Sequence, residues 1–192
     1  MRISRRRTEA RPTVLALDPS LASTGYAYRN RSGEVVAGVF KEPKLRGMER
    51  LHSLMGRLTE LLERTQPILV VYEDYAMKAK GRNFDIGELG GVYRSLIWRR
   101  GIDRLDVTPS SLKMIFNGKG NADKVAMRRT LHVTHLMPHI SQDDQVDAAA
   151  LLLLGEAYQY GIGNQFLLRR LDQRLSEPKP GIYVERGRDL GN

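Results

Sequence analysis

Apolar positions along the chain follow two patterns: short runs bounded by turn formers, and longer stretches with apolar residues at every third or fourth place. Thr13 to Asp18, Gly25 to Arg29 and Glu34 to Phe40 are of the first kind, separated by Pro19 to Thr24 and Asn30 to Gly33. They predict three short strands in an antiparallel meander. From Arg46 to Thr65, the residues Met48, Leu51, Met55, Leu58 and Leu62 form the stripe of an amphipathic helix packed on a sheet, and Gln66-Pro67 stops it. Ile68 to Glu73 is a nearly continuous apolar run, the mark of a strand buried on both faces beside a parallel neighbour.

The helical period returns from Asp85 to Arg100, where Ile86, Leu89, Val92, Tyr93, Leu96 and Ile97 are apolar and Gly90-Gly91 lets another backbone approach closely. Arg104 to Val107 predicts a short strand, and Thr108-Pro109 a helix start leading into Ser110 to Phe116. After the loop Asn117 to Asn121, helices are predicted from Ala122 to His135 and from Gln142 to Tyr160. This order predicts an α/β layered domain over residues 13–160, with a mixed five-stranded sheet whose first three strands are antiparallel. Residues 1–12, polar and basic, are expected to be an N-terminal arm that lies on phosphates, with a solvated tail as the alternative. Residues 161–192, rich in Arg, Pro and Gly with one helical stretch near Gln165 to Leu175, are expected to be a partly ordered C-terminal extension.

A chain of 192 residues, 41% of them apolar, suits one domain with a full core. Its 31 Lys and Arg against 22 Asp and Glu give a formal charge of +9, which favours a polyanion, nucleic acid first, over an acidic small molecule. The absence of cysteine excludes disulfides and thiolate zinc sites and suits a reducing cytoplasm. No apolar stretch long enough for a signal peptide or a membrane span follows the N-terminal arginines, so a soluble cytoplasmic protein is expected.

Four carboxylates stand at the edges of the predicted elements. Asp18 closes the first strand and Glu73 the fourth, at the strand ends where sites form in α/β sheets. If those strands lie side by side, both side chains emerge at one edge. Asp144 and Asp147 share a helix face with Leu151, Gly155 and Tyr158, so that face turns towards the protein. Each acid has an ordinary structural alternative: Asp18 as a turn residue before Pro19, Glu73 or Asp74 as a surface strand cap, Asp144 with Ser141 as a capping box. Asp147 fits such a role poorly, because its helix neighbours Val146 and Ala148 to Leu154 are apolar. Two carboxylates about 4 Å apart repel by about 4 kcal/mol at an effective dielectric of about 20, so a cluster raises its own pKa values or recruits cations. Mg²⁺ or Mn²⁺ suits oxygen ligands and leaves room for a phosphate. Two such ions roughly 4 Å apart can activate a water and stabilise the departing oxygen of a phosphodiester.

In order along the chain, Val14 to Tyr28 (VLALDPSLASTGYAY), the strand ending in Glu73, Val107 to Lys113 (VTPSSLK), Gly118 to Lys124 (GKGNADK) and Asp144 to Ala150 (DQVDAAA) resemble RuvC-type Holliday junction resolvases. The resemblance implies an RNase H-like fold, with Asp18, Glu73, Asp144 and Asp147 as ligands of two Mg²⁺ or Mn²⁺ ions. It also implies a homodimer that cuts four-way DNA junctions by paired nicks, with Lys113 and Lys124 near the scissile phosphate. A lysine after a Gly-rich turn at a helix start suits a phosphate contact independently. Asp85 to Arg100 resembles the family's dimer helix, with core packing as the competing role. Lys78, Lys80, Arg82, Lys119, Arg128 and Arg129 would extend a phosphate-tracking surface, with a merely solvated face as the alternative, and Tyr75 or Phe84 would stack on bases, with Tyr75 packed beside the strand as the competing role.

Two departures qualify the likeness. Ser20 stands where cellular members have Gly, a variant similar to phage-encoded relatives that implies a phage origin. Asp74 to Asn83 differs in length and content from the cellular pattern, which leaves cutting-sequence preference and strict four-way selectivity open. His135 and His139 flank Pro138, a break in helical spacing that argues against a metal pair. The competing functions are a nuclease of the same fold acting on RNA or RNA-DNA hybrids and a non-catalytic DNA-binding protein. An actin-like ATPase would need a second related domain, for which the chain has no room.

Overall fold

Val14, Leu15, Ala16 and Leu17 are all buried, as befits a strand with a hydrogen-bonded neighbour on each side and a helical layer on each face. In the computed structural model, which describes residues 13–74 and 83–189, β1 (Thr13–Asp18) pairs antiparallel with β2 (Thr24–Arg29) and parallel with β4 (Pro67–Glu73). β3 (Val35–Phe40) completes the meander, and β5 (Asp103–Val107) runs parallel to β4. The expected five strands are joined by a sixth, β6 (Ile182–Glu185), antiparallel to β5, for the order β3-β2-β1-β4-β5-β6. That corrects the strand count. The extra strand lies in the segment set apart as a C-terminal extension, where a short run among Pro and Gly carries too little periodicity to signal a strand.

Alternation along β1 divides the core in two. Leu15 and Leu17, with Val70 and Tyr72 of β4, pack against Leu54, Leu58 and Leu61 of α1 (Gly47–Thr65) and Leu89, Tyr93 and Ile97 of α2 (Asn83–Arg99). Val14, Ala16, Leu69 and Val71 face the opposite layer of α3 (Pro109–Asn117), α4 (Lys124–Thr134), α5 (Asp143–Tyr160) and α6 (Gln165–Leu175). Among the described residues no helix is long and apolar enough to cross a membrane.

Helix α5 lies directly on the sheet, and two glycines permit it. A Cβ on Gly155 would stand 2.3 Å from Val71 Cγ2 and 2.9 Å from Val14 Cγ1, and one on Gly25 would stand 2.2 Å from the Asp144 carbonyl oxygen. Glu156 adds a bidentate ion pair to Arg29 of β2, with both bonds at 2.7 Å. The helix is thus fixed over β2, β1 and β4 along its length. Its N-cap is Gln142, with no side-chain cap bond, so the expected Ser141-Asp144 capping box does not form. Ser141 lies one residue too early, which leaves the Asp144 carboxylate free of that role. The predicted start at Thr108-Pro109 does form: Thr108 caps α3, accepting from the Ser111 N–H, and Pro109 is the first helical residue.

Segment 161–189 is tied to α3. Arg170 donates to the Ile115 and Phe116 carbonyls at 3.5 and 3.4 Å, and Arg174 donates to Ser111 Oγ at 3.1 Å. The Thr108 N–H donates to the Gly181 carbonyl at 2.8 Å.

Candidate active site

The parallel register sets Leu17 beside Tyr72, so the next residues, Asp18 and Glu73, leave the sheet side by side where β1 and β4 end. Asp18 also pairs with Gly25 of β2, the residue on which the backbone of Asp144 rests. The missing side chain at Gly25 therefore brings the start of α5 down onto the Asp18 strand end. One turn further along, Asp147 projects from the same helix face. Glu73 and Asp74 point to opposite faces of the sheet, and only Glu73 faces α5. Asp74 is held by Arg94 of α2 at 2.6 Å.

Burial and mutual repulsion shape the electrostatics of the group. Burial raises Asp18 from 3.8 to about 7, helped by the charges of Asp147 and Asp144 and opposed by Lys124. Glu73 is pushed well above the ordinary carboxylate range by burial and then by Asp18 and Asp147, with Lys113 opposing. Asp147 is raised by burial, against the pull of Lys124 and Lys113. All four acids thus feel one another or a shared lysine, which is the physical content of their convergence. Lys113, on α3, acts from the Glu73 side. Lys124, the first residue of α4, acts from the Asp144 side.

This donor set fits a hard divalent cation. It consists of carboxylate oxygens alone, and burial raises Asp18, Glu73 and Asp147, which a bound cation would offset. Among the described residues no three acidic or histidine side chains are drawn together tightly enough to cage an ion. Mg²⁺ and Mn²⁺ keep several waters and share their coordination with a substrate phosphate, so they do not require an all-protein cage.

A model of the family Crossover junction endodeoxyribonuclease RuvC matches residues 14–154. The chain belongs to the RuvC family. RuvC proteins of Thermomicrobium roseum and Anaeromyxobacter sp. strain K are 31% and 30% identical over 144 residues, 72% of this chain, and the match covers 88% and 77% of those proteins. The fold agrees with a Thermus thermophilus RuvC structure at a TM-score of 0.60 and 19% identity, covering 76% of this chain and 95% of that one. It also agrees with T. thermophilus RuvC in complex with a Holliday junction substrate at 0.58 and 17%, covering 73% and 92%. The sheet and its flanking helices are therefore an RNase H-like fold. α6 and β6 lie beyond the segment that the RuvC family model matches.

Other expected residues have varied settings. Lys119 is exposed in the turn after Gly118, whose φ of +91° suits glycine alone. Arg128, expected on a phosphate-tracking surface, is partly exposed and donates to Asp143 at 2.5 Å. His135 stacks on Phe116 with ring centroids 5.0 Å apart. Tyr75, Lys78, Lys80 and Arg82 lie outside the described residues. Ser20, the departure from the cellular pattern, closes the β1–β2 turn: its hydroxyl accepts from the Ala22 and Ser23 N–H groups at 3.3 Å each. Two residues of structural weight were not singled out from the sequence. Gly25 had its signal in the small-residue run Ser23-Thr24-Gly25, and Asp143 was hidden beside Asp144.

Proposed function

We propose that the chain resolves four-way DNA junctions by hydrolysing phosphodiesters, with Asp18, Glu73, Asp144 and Asp147 holding two Mg²⁺ or Mn²⁺ ions. Nucleases of the RuvC family depend on a divalent metal ion. The observation that supports the assignment of these residues is that Asp18 and Glu73 end adjacent parallel strands beneath the start of α5, which carries Asp144 and Asp147, all four half-buried. Bound there, the cations would activate a water and offset charge on the departing oxygen. The protein's own part is placement. The acids would hold the ions where β1 and β4 end, and Lys113 and Lys124, whose charges both act on Asp147, would orient a phosphate beside them.

Further parts of the reading rest on the surface. Lys119 extends the phosphate contacts beside Lys124, and Lys78, Lys80, Arg82 and Tyr75 are proposed to continue them along the DNA. A homodimer through α2 is supported by Gly87 and Gly91, one turn apart, neither of which has a described atom within 4 Å of a Cβ placed on it. Among the described residues nothing lies against these two positions, which would suit the approach of a second copy. A cytoplasmic setting belongs to the same reading, as does a nuclease domain over residues 13–160 flanked by the N-terminal arm and the C-terminal segment.

The test is cleavage of a four-way junction, a Y-shaped fork, duplex DNA and an RNA-DNA hybrid, side by side with Mg²⁺. The junction should be cut preferentially. Asp147→Asn should bind it as wild type does while losing nicking by on the order of 10³-fold. Preferential cutting of the hybrid would move the function to RNA processing, and an Asp147→Asn variant nicking at the wild-type rate would remove that residue from the mechanism.

A further inference from the structure

Asp143 opens α5 immediately before Asp144, yet its carboxylate turns towards α4. One oxygen accepts from Lys124 Nζ at 3.1 Å and the other from Arg128 at 2.5 Å. Those two cations lie one turn apart on α4, so a single side chain of α5 grips both. The start of α4 is itself fixed, because Asp123 caps it by accepting from the Ala126 N–H at 2.8 Å. Lys124 is 64% exposed, and an untethered lysine there would sample many rotamers on its flexible stem. The tether sets its ammonium beside the acid group, where its charge acts on Asp18, Asp144 and Asp147.

As a plain surface ion pair this arrangement would contribute little to stability. As an extra negative charge beside a phosphate-binding site it would weaken DNA binding. Neither effect accounts for a carboxylate placed to take one hydrogen bond from each of two cations on the neighbouring helix. We propose that Asp143 is a positioning residue: it orients Lys124 against the scissile phosphate and thereby speeds cleavage at some cost in affinity. The proposal rests on the nuclease reading above.

The two can be tested apart, using the full chain with Mg²⁺ on a four-way junction. Single-turnover cleavage at saturating enzyme is measured for wild type, Asp143→Ala, Asp143→Glu, Lys124→Ala and the Asp143→Ala/Lys124→Ala double variant. Junction binding is measured separately without metal. Asp143→Ala should cut roughly 10-fold more slowly while binding as tightly as wild type or more tightly. Asp143→Glu, which keeps a carboxylate in reach, should recover part of the rate. In the Lys124→Ala background Asp143→Ala should cost nothing more. A wild-type rate for Asp143→Ala overturns the proposal, and so does the same slowing with and without Lys124, the result a merely structural role would give. If wild type itself leaves the junction intact, the nuclease reading falls first.

Discussion

Glu73 and Asp74 are neighbours on one strand, and each belongs to an acidic group on its own face of the sheet. On the α5 face, among the described residues, lysines oppose Asp18, Glu73 and Asp147, and burial raises all three. On the α2 face, Asp74, Asp106 and Glu185 meet arginines. Arg94 holds Asp74 at 2.6 Å, and Arg104 holds Asp106 through bonds of 2.6 and 2.9 Å and also bonds Glu185 of β6. The guanidinium carbons of both arginines lie over the Tyr72 ring, 5.2 and 6.0 Å from its centre. The second group is neutralised within the protein and pins the sixth strand to the sheet. The first is left short of positive charge, which a cation from solution can supply. Proximity of acids alone does not mark a site; the state of their compensation does.

The comparison breaks most sharply at Gly25, where the α5 group can be disturbed without removing a carboxylate. The Cβ of Gly25→Ala would fall 2.2 Å from the Asp144 backbone oxygen, so the start of α5 must lift. Gly155 and the Arg29–Glu156 pair would still hold the rest of the helix. A displacement of about 1 Å at a reacting centre costs roughly 10²-fold in rate. Junction cleavage should fall by that much or more while circular dichroism stays native, and an unchanged rate would show that Asp144 needs no such placement.

Arg104→Met tests the other group. It removes the cation shared by Asp106 and Glu185 while leaving the α5 face intact. Breaking a fully buried ion pair costs roughly 3–5 kcal/mol. The cost here should be about 2 kcal/mol, because Glu185 is half exposed and Arg94 still lies 3.9 Å from Asp106. For a chain of this size that is roughly 4–8 °C in the melting temperature, readable by calorimetry. The cleavage rate at 25 °C should stay within roughly threefold of wild type.

The sequence made the two groups unequally visible. Asp18 and Glu73 could be placed together because the unbroken apolar run of Ile68 to Glu73 implied a parallel neighbour, and the register of β1 and β4 agrees. The helix carrying Asp144 and Asp147 was legible from its length and apolar content. The α2-face network was not, because Arg104 and Asp106 look like ordinary strand-edge polar residues until β6 supplies Glu185 from far along the chain. The capping box failed for a related reason: Ser-x-x-Asp is a local pattern, and α5 begins where its packing on Gly25 begins. Asp143 needed α4 beside α5 before its partners could be known.

The smallest expected effect separates the two groups by pH. In the folded chain Asp18 titrates near 7, against an ordinary value of 3.8, so the folded state binds its proton more tightly than the unfolded state does. Its influence is therefore unfavourable to folding at high pH: stability falls as pH rises from about 4 to about 7 and levels off above. Asparagine resembles the protonated acid and carries no charge. Metal-free Asp18→Asn should thus melt close to wild type at pH 4 and above it at pH 8, by roughly 2–4 °C for each kcal/mol of relief. Adding Mg²⁺ at pH 8 should raise the wild-type melting temperature and close the gap, because the cation supplies the charge that burial and repulsion had left wanting. Arg104→Met should show no such crossover. A gap that stayed constant from pH 4 to pH 8 would mean that Asp18 is no more strained than the paired acids on the other face.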